Sequence, residues 1–295
     1  MYKAELTSGY RVKILRHYYS LTKPGIVFGN SITALAGGLL ATKGSLDFPL
    51  LSITLVGLGL IVAAGCVLNN FLDRLSDQLM PRTRRRPLAI KAISEKRALY
   101  FGFVLLFLGG SILAFFTNLL ATCIALIGFV IYVLFYSLLK HKTVYGTEIG
   151  SIAGAVPPVA GYCAISHSFD FAAFLLFAIV ICWQMPHFFA IAMYRIEEYR
   201  AASIPVLPIV RGAEATKIQM LVYVAGFVVL ISLLTAFGFV GYCYLVVASF
   251  LALMWLKLAI QGFRTDKDKV WARKMFQRSL LVIIGLCIMI AVDRV

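Results

Sequence analysis

An all-α bundle of about nine transmembrane helices, with its N-terminus on the cytoplasmic side, is the fold class that the sequence predicts. Hydrophobic residues make up 61% of the 295-residue chain, charged residues 14%, and the mean hydropathy is +0.90. A soluble domain carries about 25% charged residues. Several apolar runs reach the ~20 residues that a bilayer crossing needs, and the period-2 alternation of a membrane β-barrel is absent. Basic residues also fall almost entirely on one side of the predicted spans, which orients them.

Nine spans are predicted, at roughly 24–42, 48–68, 97–116, 119–139, 146–166, 171–192, 215–237, 240–260 and 276–292. Pro24 begins the first. Only Thr117 and Asn118 separate the third and fourth, which gives a tight hairpin; Gly238 to Gly241 separate the seventh and eighth in the same way. Pro157 and Pro158 predict a kink in the fifth span, and Gly150, Gly154 and Ala155 read as a small-residue face for helix packing. The whole chain, 1–295, reads as one integral-membrane domain. Its segment 1–23 carries Arg11, Lys13, Arg16 and Lys23 but no apolar core, so it reads as neither a signal nor a transit peptide. Tyr10, Ile14, Leu15, Tyr18 and Tyr19 predict a short helix at the membrane surface.

Of 28 Lys and Arg, 26 lie in 1–23, 69–97, 140–142, 195–217 and 257–278; only Lys43 and Arg294 fall on the other side. Positive loops stay cytoplasmic, so the C-terminus is outside. The net charge of +15 is mostly this topology signal, and with no soluble domain to carry it, nucleic acid is a poor partner. Six cysteines all fall within spans without C-x-x-C spacing, so they read as small apolar residues rather than disulfides or zinc ligands.

The long loops lie on the basic side, so function is expected at those helix ends. After span two the chain reads N-N-F-L-D-R-L-S-D-Q-L-M-P-R-T-R-R-R-P. On a continuous helix Asn69, Asp73 and Asp77 share one face over roughly 12 Å. Such hard oxygen ligands suit Mg²⁺. Arg82, Arg84, Arg85 and Arg86 follow at once. Acids that hold a metal beside arginines that hold anionic oxygens predict a site for a metal-bound diphosphate, and its place at a membrane helix end predicts a lipid tail on that diphosphate. Three further segments contribute candidates: Lys23-Pro24-Gly25; Tyr136 to Glu148, with Lys140, His141, Lys142 and Tyr145; and Trp183 through Pro208, with His187, Glu197 and Glu198. The loop 257–278 reads as plain solvated chain. Asp73 precedes Pro81 by eight residues and Glu197 precedes Pro205 by eight, a weak parallel repeat that would set a second acidic face opposite the first.

Asn69-x-x-x-Asp73-x-x-x-Asp77 resembles the first aspartate-rich motif of the UbiA-type intramembrane prenyltransferases. Met80-Pro81-Arg82-Thr83 with Arg86-Pro87, Tyr145-Gly146-Thr147, Gly154 to Pro158, Trp183-Gln184-Met185-Pro186-His187 and Ile204-Pro205-Val206-Leu207-Pro208 are similar to the haem-farnesylating branch, over about residues 20–290. Many superfamily members carry a full second D-x-x-x-D, where this chain offers Glu197 and Glu198.

The resemblance implies transfer of a farnesyl group from farnesyl diphosphate to a vinyl group of haem b, with water addition. Mg²⁺ would sit on Asp73 and Asp77, with Asn69 and Glu197 assisting. Arg86 and Lys142 would act in catalysis, and Arg82, Lys140, Tyr136, His187 and Glu198 in substrate binding, with His187 a candidate for the haem iron. Haem b is then a substrate and not a cofactor. The resemblance also implies a bacterial inner membrane and association with haem A synthase or a terminal oxidase. Two other readings remain at this stage: prenyl transfer to an aromatic or quinone precursor, and a secondary transporter. The transporter would need ionisable groups near the bilayer midplane, and mid-span acids are absent.

Overall fold

The computed structural model describes residues 13–42 and 44–295. Among these residues, nine helices are long and apolar enough to cross a membrane. They are α1 (Pro24–Ala41), α2 (Phe48–Leu72), α3 (Glu95–Phe116), α4 (Leu119–Leu139), α5 (Gly146–Ser166), α6 (Phe171–Tyr194), α7 (Gly212–Ala236), α8 (Tyr242–Arg264, its last turn 3₁₀) and α9 (Asp268–Val292). Residues 13–21 are also helical, and Tyr10 of the expected surface helix lies outside the described residues. Leu15 and Tyr19 are exposed. Tyr18 sets its edge against Phe101 of α3 at 5.0 Å, and the Leu21 carbonyl accepts from Asn70 Nδ2 of α2.

Local chemistry fixes the helix starts. Asp47, Ser94, Asn118 and Asp170 each accept a first-turn backbone N–H at the head of α2, α3, α4 and α6. Asn118 therefore ends the two-residue hairpin and opens α4. Gly238, at φ 74, turns the chain between α7 and α8.

α5 and α6 form the centre. α5 packs against α1, α2, α4 and α6, and α6 packs also against α7 and α9. The α1–α5 crossing is close: a Cβ on Gly37 would overlap the Pro158 carbonyl, and one on Gly161 the Ala34 carbonyl. Gly150 and Gly154 pack as expected of small residues, but against the side chains of Tyr136 and Gln184 rather than a neighbouring backbone.

One expectation is corrected. The solvated loop 257–278 is mostly helix: α8 runs on through its 3₁₀ turn and α9 begins at Asp268, eight residues before the predicted start. Lys269, Arg273, Lys274 and Arg278 hid this start from a hydropathy reading. On the opposite face Trp271, Ala272 and Met275 are buried, and Trp271 Nε1 donates to the Leu258 carbonyl at 2.8 Å. The span 119–139 forms as predicted, with one irregularity. Ile131–Tyr136 is a π-helical segment, in which the Ser137 backbone N–H and hydroxyl both bond the Tyr132 carbonyl. Such bulges interrupt helices most often at functional sites.

Candidate active site at the basic helix ends

The continuous helix expected through Asn69, Asp73 and Asp77 is interrupted. α2 ends at Leu72, Asp73 is its C-cap, and a short helix follows at Ser76–Leu79. One bond, from the Asp77 N–H to the Asp73 carbonyl at 2.8 Å, carries the helical turn across the break. Both carboxylates are buried, Asp73 5% and Asp77 2% exposed.

Each acid meets a cation from another segment. Lys140 Nζ donates to Asp73 Oδ2 at 2.5 Å. His141 Nε2 stands 3.5 Å from Asp73 Oδ1, too long for a good hydrogen bond, so that oxygen is buried without one. Burial alone would raise the Asp73 carboxyl; the facing His141 and Lys140, with Lys23 behind, outweigh it and hold it at about 2. Arg86 Nη1 donates to both Asp77 oxygens at 2.9 Å. Thr83 Oγ1 donates to the Asp77 carbonyl, which fixes the turn that carries Arg86.

Asn69, predicted to assist the metal, is committed to other partners. Its Oδ1 accepts from Lys23 Nζ at 2.5 Å and its Nδ2 donates to Ser137 Oγ at 2.8 Å. The π-helical segment is what brings Ser137 there. Lys23 sits just before α1 at φ 50, a left-handed conformation that a residue before proline seldom adopts, and strain of this kind gathers at functional sites. Burial, helped by the charges of Arg86 and Lys140, lowers its ammonium to about 8.

The second predicted acidic segment also arrives. Met80 packs with Ala202 and Ile204, and Arg82 Nε lies 3.5 Å from Glu198 Oε2, while Arg195 holds Glu198 Oε1 at 2.9 Å. Glu197 is not brought in: it is exposed and paired with Arg200. Lys142 is exposed as well. Lys140 faces Asp73, and two residues later a helical path points nearly the opposite way. His187 lies on the far side of α6, buried, with Nδ1 2.7 Å from Ser279 Oγ of α9 and its ring stacked on Trp183 and near Phe276. The haem-ligand expectation therefore meets a packed histidine.

Below the acids an apolar cavity of about 240 Å³ runs between α1, α2, α4, α5 and α6. Tyr132 and Tyr136 of the π-helical segment line it, their rings stacked 5.4 Å apart. Lys140 Nζ lies 5.2 Å from the Tyr136 ring centre. Tyr136, Gly150 and Phe188 also line a smaller cleft toward Lys140, Tyr199 and Pro205. A charged head group fits among the basic side chains, and an apolar tail fits the cavity past Tyr136.

The donor set suits a divalent ion shared with a substrate. Asp73 and Asp77 stand four residues apart where α2 ends, and Asp73 Oδ1 is buried and unbonded. No group of three or more His, Cys, Asp or Glu forms a cage among the described residues. Mg²⁺ is commonly held by one or two carboxylates plus substrate phosphates, without such a cage.

Sequence reasoning placed Lys23 and His141 in candidate segments but gave neither a role, and it missed Ser137. The π-helical segment that aims Ser137 leaves no periodic trace.

Comparison with known proteins identifies the family. The UbiA prenyltransferase family matches residues 30–281. A protoheme IX farnesyltransferase of Protochlamydia amoebophila is 51% identical over 96% of this chain and 100% of its own. Another, from Cronobacter sakazakii, is 47% identical over 95% of each. Among solved structures, a digeranylgeranylglyceryl phosphate synthase superposes with a TM-score of 0.80 at 19% identity, over 94% of this chain and 97% of that one. A UbiA homologue from Archaeoglobus fulgidus bound to GPP and Mg²⁺ gives 0.64 at 17% identity, over 94% and 99%. The chain belongs to the UbiA prenyltransferase family.

Proposed function

We propose that this chain joins the farnesyl group of farnesyl diphosphate to a vinyl group of haem b, with addition of water, and releases diphosphate. The observation that carries the prenyl-transfer half is the stacked Tyr132–Tyr136 pair between the acid–base cluster and the apolar cavity. The haem half rests on the near full-length identity to protoheme IX farnesyltransferases.

The residues divide the work. Lys140, Arg86 and Lys23 have donors to spare beyond Asp73, Asp77 and Asn69, since an ammonium carries three and a guanidinium five. They hold the diphosphate oxygens, with Arg82 at the rim. Mg²⁺ bound by Asp73 and Asp77 would supply the charge that makes diphosphate a competent leaving group. As the C–O bond lengthens, the faces of Tyr132 and Tyr136 stabilise the allylic cation. The apolar walls keep water from it until the vinyl carbon attacks. Tyr199, whose hydroxyl burial pushes up to about 12, stays protonated and available as a donor near the head group.

The active end faces the cytoplasm of a bacterial inner membrane, as the distribution of basic residues supports. A lipid-tailed substrate then enters from the bilayer and haem from the same side. The product suits a membrane-bound haem A synthase or a terminal oxidase. Purified protein incubated with haem b, farnesyl diphosphate and Mg²⁺ should yield haem O by mass analysis. Farnesylation of a quinone precursor with no change to haem would replace the reading.

A further inference from the structure

One polar side chain deep in the apolar cavity has no part in holding the diphosphate. Gln184, on α6, is 6% exposed and lines the cavity together with Tyr132, Tyr136, Gly154 and Phe188. Its Oε1 is buried and meets no hydrogen-bond partner. The amide occupies a notch that exists because residue 154 is glycine: a Cβ there would overlap both Gln184 amide atoms. Asn30, the other amide in the wall, is half-buried and gives its Nδ2 to the Ile26 carbonyl. Buried polar atoms without a protein partner are the places where ordered water is bound.

The reaction proposed above needs water at one point and must exclude it at another. Water that reaches the allylic cation early gives farnesol. Water must still reach the second cation, on the vinyl carbon next to the porphyrin ring, after the new carbon–carbon bond has formed. A single water tethered to a neutral amide satisfies both demands. It is held in place, and it is not made more reactive before the second cation appears.

We propose that the cavity beside Gln184, whose amide is seated against Gly154, is the water subsite, and that Gln184 Oε1 accepts a hydrogen bond from the water that adds to the haem-derived cation. The proposal rests on the reading of haem b as the acceptor. The farnesyl C–O bond breaks, with its electron pair leaving on diphosphate. The vinyl π pair forms the bond to the farnesyl carbon, and the cation moves to the ring-side vinyl carbon. A lone pair of the tethered water bonds to that carbon. The proton it releases passes to diphosphate, the base generated in the same turnover. Gln184 is thus a positioning residue and takes up no proton.

The test is product identity rather than rate. Gln184→Met keeps length and removes both polar atoms; Gly154→Ala keeps the amide and takes its space. Each purified variant is incubated with haem b, farnesyl diphosphate and Mg²⁺, and the haems are resolved by mass. Without a tethered water, the second cation loses a proton to diphosphate and leaves an alkene. Both variants should therefore accumulate a farnesylated haem lighter than the wild-type product by one water. The hydroxylated fraction should fall by on the order of tenfold, the scale of one hydrogen bond. If both variants make only the hydroxylated product, or lose product with no lighter species, Gln184 is a packing residue and the proposal is overturned. Failure of the haem reading shows separately, as wild-type protein that farnesylates no haem.

Discussion

Lys140 at the end of α4 donates to Asp73 at the end of α2 across 2.5 Å, with side chains only 14% and 7% exposed. The bond closes the basic end of the bundle with two groups that the proposed chemistry uses, so on that reading stability and activity are coupled there and can be separated. Lys140→Met leaves a buried carboxylate unpaired, at a cost of roughly 3–5 kcal/mol. Asp73→Asn removes one electrostatic stabiliser and should cut turnover by at least ~10²-fold. The double variant should recover much of the lost stability and none of the activity, because the two changes share one contact. Thermal unfolding in detergent, read beside turnover, checks it; a double variant no more stable than Lys140→Met contradicts the pairing. Asp73, held at about 2, contributes stability above its unfolded value of ~3.9, and loses it as the pH falls through about 2.

Arg86 reaches both oxygens of Asp77 from a single nitrogen, which leaves the rest of its fork for phosphate oxygens. A lysine cannot reproduce that fork. Arg86→Lys should raise the KM for farnesyl diphosphate about tenfold or more, the scale of one charge-assisted hydrogen bond, with haem binding little changed. If Arg86→Lys behaves as wild type and only neutralising several arginines together matters, the run serves topology alone.

Lys23 gives the site a pH limit. Its ammonium lies at about 8 against the ordinary 10.5 because burial opposes the charge. The fold therefore bears the full cost of that charge below 8, and stability rises between about 8 and 10.5 as the folded state releases its proton first. Activity should move the other way. kcat/KM for farnesyl diphosphate, which reports the free enzyme, should fall as the pH rises through about 8. Lys23→Arg, charged throughout this range, should shift that limb upward. An unchanged profile removes Lys23 from diphosphate binding.

Much of this was readable from the residues, for physical reasons that differ by element. A bilayer demands long apolar runs, so all nine helices declared themselves; only the start of α9 did not, because its first turns are amphipathic and pack Trp271 beneath a charged face. Asp73 and Asp77 were legible because their spacing survives the helix break between them. The break was not, since nothing at Leu72 signals a stop. Lys140 and Lys142 look equivalent in sequence and are separated only by which way the chain points at the end of α4. Glu197 and Glu198 differ in the same way.

His187 is a chemically suggestive residue in a packed place. Its Nδ1 meets Ser279 and its ring fills the space between Trp183 and Phe276. His187→Ala should lower stability by roughly 1–3 kcal/mol and depress use of haem and of farnesyl diphosphate together. Absorbance titration with haem and separate binding of farnesyl diphosphate to the solubilised variant give the answer. A selective loss of haem affinity, with stability intact, would restore it as an iron ligand.

The last prediction concerns orientation, on which the coming together of the two loops depends. Residues 69–97 and 195–217 follow α2 and α6, and Met80, Ala202 and Ile204 pack together at one end of the bundle. Of 28 basic residues 26 fall in sequence segments on the same side of the predicted spans, and by the positive-inside rule that side is expected in the cytoplasm. Cysteines introduced at Arg84, Lys142, Ala202 and Lys267 should all be labelled only after the membrane is made permeable. A tag after Val295 should be reached from outside in intact cells. Arg84 and Ala202 labelled from opposite sides would separate the two loops and dismantle the site. All four labelled from outside would keep the site and move it to the other face of the membrane.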